Sequence, residues 1–168
     1  MHPKLLQGSG DFAFQTGSWR VRHCRLRRRL ASETNWDEFD GSCRAFEVMG
    51  GAGNIDDHFL DDPAGAWRAA TFRKFDPGAG LWSIWWFDSR FAELGPPVHG
   101  RFERGIGTFF GDDILDGRPI RVRFIWSEID AGHARWEQAF SPDGGESWEC
   151  NWIMAFERVD GDLPAIAG

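Results

Sequence analysis

The feature that most constrains this chain is a two-residue alternation of large apolar and polar side chains, repeated from end to end and interrupted only by turn residues. Trp19, Val21 and His23 alternate with Arg20, Arg22 and Cys24, and Trp82, Ile84 and Trp86 alternate with Leu81, Ser83 and Trp85. Ile120, Val122, Phe124 and Trp126 form a third run, Trp136, Gln138 and Phe140 a fourth, and Trp148, Cys150, Trp152, Met154 and Phe156 a fifth. Successive residues of a strand point to opposite faces, so this period predicts half-buried strands. Further runs fall near Asn35–Phe39, Cys43–Met49, Asp56–Leu60, Trp67–Phe75, Val98–Glu103 and Thr108–Leu115, for a total of about ten strands. No segment keeps an apolar stripe at helical spacing for three turns, so the class is all-β with little helix.

Between the runs stand Gly50-Gly51-Ala52-Gly53, Asp62-Pro63-Ala64-Gly65, Asp76-Pro77-Gly78-Ala79-Gly80, Gly95-Pro96-Pro97, Asp116-Gly117, Asp130-Ala131-Gly132 and Pro142-Asp143-Gly144-Gly145. These residues supply the backbone angles at which a chain reverses. The connections are mostly of hairpin length, which favours up-and-down order. Both parities of Leu81–Phe87 are aromatic, so one face fills an interior and the other awaits a second burial. A closed antiparallel barrel meets both conditions and removes the edges; a sandwich is the alternative. The chain of 168 residues is expected to form one barrel domain over 1–168, with its core strands within about 12–158.

Several stretches together resemble a known family: Gly17-Ser18-Trp19-Arg20-Val21, Gly50-Gly51-Ala52-Gly53-Asn54-Ile55-Asp56-Asp57, Phe75-Asp76-Pro77, Trp82-Ser83-Ile84-Trp85-Trp86, Arg118 through Phe124, Arg135 through Gly145, and Asn151-Trp152. The pattern is similar to a bacterial family of uncharacterised lipocalin-like proteins and covers roughly Phe12 to Arg158. The resemblance implies a calycin-like β-barrel and brings no established activity with it. The chain departs from animal relatives of that barrel. It leaves no room between Leu30 and Asn35 for the two-helix lid of fatty-acid-binding proteins, and too little after Phe156 for the C-terminal helix of secreted lipocalins.

Charge and cysteine usage narrow the function classes. Nineteen Lys and Arg against twenty-six Asp and Glu give a net charge of −7, which argues against nucleic acid and anionic membrane as partners. No apolar run is long enough to cross a bilayer or to serve as a secretory signal. Cys24, Cys43 and Cys150 are odd in number and widely spaced, so a disulfide framework is not expected and a cytoplasmic setting is. Fifteen Phe and ten Trp without any Tyr leave many flat apolar surfaces and few phenols.

Parity places His23 and Arg25 on the inward face begun by Trp19 and Val21. Inside a barrel, a guanidinium needs a partner, and a carboxylate or phosphate ligand would serve. Glu47 or another acid of the chain would serve equally, and a bulge would return the arginine to solvent. The leading expectation is therefore a barrel binding a small hydrophobic or aromatic, neutral or anionic ligand, with Trp19, His23, Arg25, Trp86, Phe124, Trp136, Gln138 and Trp152 as its site. Two alternatives stand beside it: an enzyme with His23 as acid/base and Arg25 as anion clamp, and a Trp-filled barrel that acts as a homodimeric interaction module.

No cofactor or metal is expected. Asp56-Asp57-His58 followed by Asp61-Asp62 reads as a solvated acidic loop, and none of His2, His23, His58, His99 and His133 is marked as a haem ligand. Ser141-Pro142-Asp143-Gly144-Gly145-Glu146-Ser147-Trp148 looks like an Asp-box hairpin, present once and serving as a turn clasp.

Overall fold

The computed structural model describes residues 8–161. Ten antiparallel strands follow one another around a closed barrel: β1 (Gly17–Leu26), β2 (Trp36–Val48), β3 (Gly53–Leu60), β4 (Trp67–Asp76), β5 (Leu81–Asp88), β6 (Val98–Glu103), β7 (Ile106–Leu115), β8 (Arg118–Ser127), β9 (His133–Ser141) and β10 (Glu149–Val159). Each pairs with its neighbour in sequence, and β1 closes the ring against β10. Among the described residues the helical turns are two short 3-10 segments, Ala13–Gln15 and Met49–Gly51. The expected all-β up-and-down barrel is therefore what forms, and the sandwich is not.

The alternation fixes the inward face of most strands. On β8, Ile120, Val122 and Trp126 are buried, while Arg118 and Pro119 at its start are exposed. On β4, Trp67, Ala69, Thr71, Arg73 and Phe75 all point inward. Asp116-Gly117 makes the tight β7–β8 hairpin with both residues at positive φ (50° and 76°), the geometry that suits right-twisted strands.

Two expectations about strands need correction. The runs at Asn35–Phe39 and Cys43–Met49 belong to one strand, β2, because Gly41 between them is no turn. It stays in the ladder, and a Cβ there would lie 2.5 Å from the Phe59 carbonyl oxygen and 2.7 Å from His23 Nε2. Glycine is there for a close approach. On β10 the inward parity does not run from Trp148 to Phe156. The register shifts between Cys150 and Trp152, so Asn151 turns inward, fully buried, with its amide oxygen accepting from Gln138 at 2.9 Å. Cys150 turns outward towards Glu137, and Trp148 lies before the strand, under Arg123. A β-bulge of this kind re-aims every residue on one side of it.

One end of the barrel is plugged. The segment from Gly8 to Thr16, ahead of β1, crosses that end and sinks Phe12 among Trp82, Phe102, Phe109 and Trp126, with ring centroids 5.0 to 6.2 Å apart. Two indole N–H groups clamp the segment, Trp19 donating to the Gln15 carbonyl at 2.7 Å and Trp82 to that of Gly8 at 3.0 Å. The opposite end carries the loops after β1, β3, β5, β7 and β9, and it is open.

Candidate functional site

At the open end a cleft continuous with solvent narrows between Ile84, Trp86, Phe124 and Trp136. The same four residues line a tight inner pocket beneath, with room for little more than one water molecule, whose floor adds His58, Arg73, Trp126 and Phe156. The interior is thus neither hollow throughout nor filled throughout. The plugged end is packed by aromatic rings, and the open end is a funnel.

The throat is built of Trp rings standing edge to face. Trp86 and Trp136 each meet Trp152 with centroids 5.7 Å apart and planes near perpendicular, and Phe124 meets Trp136 at 4.9 Å. Such geometry suits the ring quadrupoles and leaves flat faces available. The rim adds Phe91, Leu94 and Ile114, which are two-thirds exposed and line the cleft. Apolar groups this exposed at a cavity mouth are where a ligand first meets the protein.

Of the residues expected at the site, Trp86, Phe124 and Trp136 line both chambers, and Gln138 and Trp152 line the cleft. Trp19 does not join them; it is fully buried against the plug, with Arg158 over its ring at 4.2 Å. His23 lies behind Trp152, stacked on Phe39 at 4.7 Å, and its Nδ1 accepts from the Trp152 indole N–H at 3.2 Å. Burial foremost, then the nearby His58 and Arg25, push its pKa down to about 3, so the ring is neutral at ordinary pH.

Arg25 points inward as parity requires, between Phe39 and Trp152, and its charge is met from within the chain. Its guanidinium donates to Asp62 Oδ2 at 2.5 Å. Burial raises the Asp62 carboxyl, but the Ala64 N–H, the Trp67 indole and Arg25 together hold it below its usual range. The neutralising acid is Asp62 rather than Glu47, which is exposed on β2. Other arginines on and just after β1 pair with acids of the chain: Arg20 with Glu157, Arg22 with Glu38 and Asp40, Arg27 with Asp37, and Arg28 with Glu33. Arg29 differs. It lines the mouth between Arg25 and Arg90, its Nε is buried without a hydrogen-bond partner, and burial lowers its pKa.

The stretch read as a solvated acidic loop is strand β3, and its alternate residues are core. Asn54, Asp56 and His58 are at most 1% exposed, while Asp57 faces solvent and pairs with Arg68. Asp56 is a hydrogen-bond hub. Its carboxylate accepts from Arg73 at 2.7 Å, Gln15 and His58 Nε2 at 3.1 Å, and the Thr71 N–H at 2.9 Å. Burial raises its pKa, but Arg73 and His58 overcome that and hold it well below the usual carboxylate range. Cys43 lies close to Asp56 and His58, with burial pushing its thiol well up. The four donors already on Asp56, one of them a guanidinium, occupy the lone pairs a cation would need.

Period two within Gly53–Leu60 was the signal for His58 and Asp56, since both share parity with buried Leu60. Thr71, Arg73 and the rim loop carried no comparable mark. The Asp-box hairpin is the expected clasp: Asp143 accepts from Ser141 Oγ, the Ser147 N–H and Ser147 Oγ, and Trp148 donates to the Gly145 carbonyl. His99 and His133 are exposed, His99 beside Ser83 and His133 beside Asp130, and His2 lies outside the described residues.

No protein-family model matches the chain, and no curated protein does. Among solved structures, it is similar to an S-type phycobiliprotein lyase, CPES, from Guillardia theta, with a TM-score of 0.57 and 11% identity over 95% of this chain and all of that one. At that identity the likeness supports the lipocalin-like barrel alone. No described helix is long and apolar enough to cross a membrane.

Proposed function

We propose that this chain is a ligand-binding barrel that takes a small hydrophobic, aromatic molecule, neutral or anionic, into the funnel between the rim and the inner pocket. We further read it as a cytoplasmic homodimer from the bacterial lipocalin-like family that its motifs resemble. The observation that carries the binding reading is the shared lining. Trp86, Phe124 and Trp136 wall the open cleft and the inner pocket alike, so the cleft narrows onto aromatic rings that adjoin a small pocket beneath. Concave aromatic sites with a few placed polar groups are what small-molecule pockets are made of. The likeness to a phycobiliprotein lyase agrees with a barrel that handles a ligand, and the residues named here are this chain's own.

The test is quenching of tryptophan fluorescence by 2-naphthoate and its neutral amide. Saturable one-to-one quenching by at least one of them is expected in the wild type. Phe124→Asp replaces a ring that walls cleft and pocket alike with a carboxylate and should abolish it, because a charge there stays hydrated and refuses an apolar ring. The absence of saturable quenching in the wild type, or its survival in Phe124→Asp, would overturn the reading.

A further inference from the structure

Two arginines, Arg29 and Arg90, line the open cleft. Arg90 is held twice: its Nε and Nη2 donate to the two Asp88 carboxylate oxygens at 3.0 and 2.7 Å, and its Cζ lies 3.6 Å from the Trp67 ring centroid. The Arg29 side chain, on the turn after β1, makes no hydrogen bond or ion pair among the described residues. Its Nε is enclosed without an acceptor, while its terminal nitrogens, neither enclosed nor partnered, reach solvent at the mouth. Arg25 and Arg90 are near enough to repel it. Glu149 and Asp88 attract it through space, but Glu149 Oε1 accepts the Leu30 N–H at 2.8 Å and Asp88 is taken by Arg90. The other acids of the cleft are Glu93, Asp112 and Asp113. All three are exposed, where water and salt screen them, and Asp112 is paired with Arg121 at 3.1 Å.

A guanidinium can only donate, and one left half-buried without an acceptor beside two others is a cost to the fold. The chain supplies an acid to Arg20, Arg22, Arg25, Arg27 and Arg28, and leaves without one the arginine that reaches the cleft. Perturbed charged groups of this kind gather where a ligand completes them. We propose that Arg29 is the anion anchor of the cleft and that the ligand is an aromatic carboxylate. Its ring lies among Trp86, Phe124, Trp136 and Trp152, and its two oxygens accept from the terminal nitrogens of Arg29. The planar fork of a guanidinium matches a carboxylate with two parallel hydrogen bonds. Arg25 does not compete for this role, because Asp62 already holds it. The proposal rests on the binding reading above and narrows its ligand class from neutral or anionic to acids.

The probes are 2-naphthoate, ionised at neutral pH, and its amide, the same ring without the charge, each titrated by tryptophan quenching. The wild type is expected to bind the carboxylate about 10-fold more tightly, the low end for hydrogen bonds to a charged group, because the guanidinium tips still meet water. Added salt should shrink that ratio. Arg29→Gln removes the charge and should bring the ratio to about one by weakening naphthoate alone. An unchanged affinity for the amide shows that the cleft of the variant is intact. Should Arg29→Gln fold poorly, Arg29→Met, which keeps the apolar stem, repeats the measurement. Equal affinity of the two probes in the wild type, or a preference for naphthoate that survives the loss of Arg29, overturns the proposal while leaving the ligand-binding barrel intact. Saturable binding by neither probe overturns both.

Discussion

His23 illustrates how a residue's neighbours change its meaning. As a side chain on an inward face it reads as an acid/base candidate, yet it lies under Trp152 and over Gly41, with Nδ1 already accepting a hydrogen bond. Its consequence is a pH-dependent stability. The ordinary value is 6.5 and the folded value about 3, so below 6.5 the unfolded chain takes up a proton that the native state refuses. Protons bound by the unfolded state in excess make stability rise with pH, so this contribution is fully present above 6.5 and is lost as the pH falls towards 3. The slope from one such group is about 1.4 kcal/mol per pH unit. Asp56 and Asp62, with lowered values, add their own loss only as the pH nears the ordinary carboxylate value of 3.8. Urea denaturation at pH 7 and pH 5 should therefore show a drop that His23→Phe largely removes. The same drop in the variant would place the titrating group elsewhere.

Between residue and barrel stands the segment that closes the lower end. Without it, the bottoms of β5, β6, β7 and β8 would leave Trp82, Phe102, Phe109 and Trp126 around a hole. Phe12 fills it at 1% exposure. Phe12→Ala should cost about 3–5 kcal/mol, the range for deleting a buried aromatic ring where the walls cannot collapse. A barrel held by its ladder of hydrogen bonds resists such collapse. Chemical denaturation checks this, and a loss below about 1 kcal/mol would mean that the plug is dispensable. The funnel lies at the other end, so ligand quenching should be changed far less than stability. β10 carries the corresponding lesson for strands. Parity reads Cys150 and Trp152 onto the same face, and one bulge at Asn151 separates them.

Across the molecule, the outward faces of β2 to β5 share one register row: Phe46 opposite Ile55, Ile55 opposite Phe72, and Phe72 opposite Trp85, the last pair stacked at 5.8 Å. Phe46 and Ile55 are 45% and 40% exposed. Four neighbouring apolar side chains on an acidic surface form the kind of patch a second copy covers in a two-fold pair. Light scattering should give a dimer that Phe72→Lys converts to monomer, because a lysine at the centre of the row meets its own copy across the axis. A wild-type monomer at high concentration would exclude this face as a self-interface.

What was legible from the residue order and what was not divide along a physical line. Strand content, the inward parity of Trp86, Phe124, Trp136 and Gln138, and the hairpin at Asp116-Gly117 follow from local rules, since side-chain alternation and turn chemistry act over two to four residues. The identity of the partners did not follow. Arg25 meets Asp62 and Gln15 meets Asp56 at sequence separations of 37 and 41, and Leu30 N–H meets Glu149 at 119. Which acid neutralises an inward arginine, whether a glycine marks a turn or a close approach, and which histidine lines the inner pocket all depend on strands brought together by closure. Period two said that His23 and His58 both face inward; only the closed barrel decided that one is covered by Trp152 while the other faces the chamber.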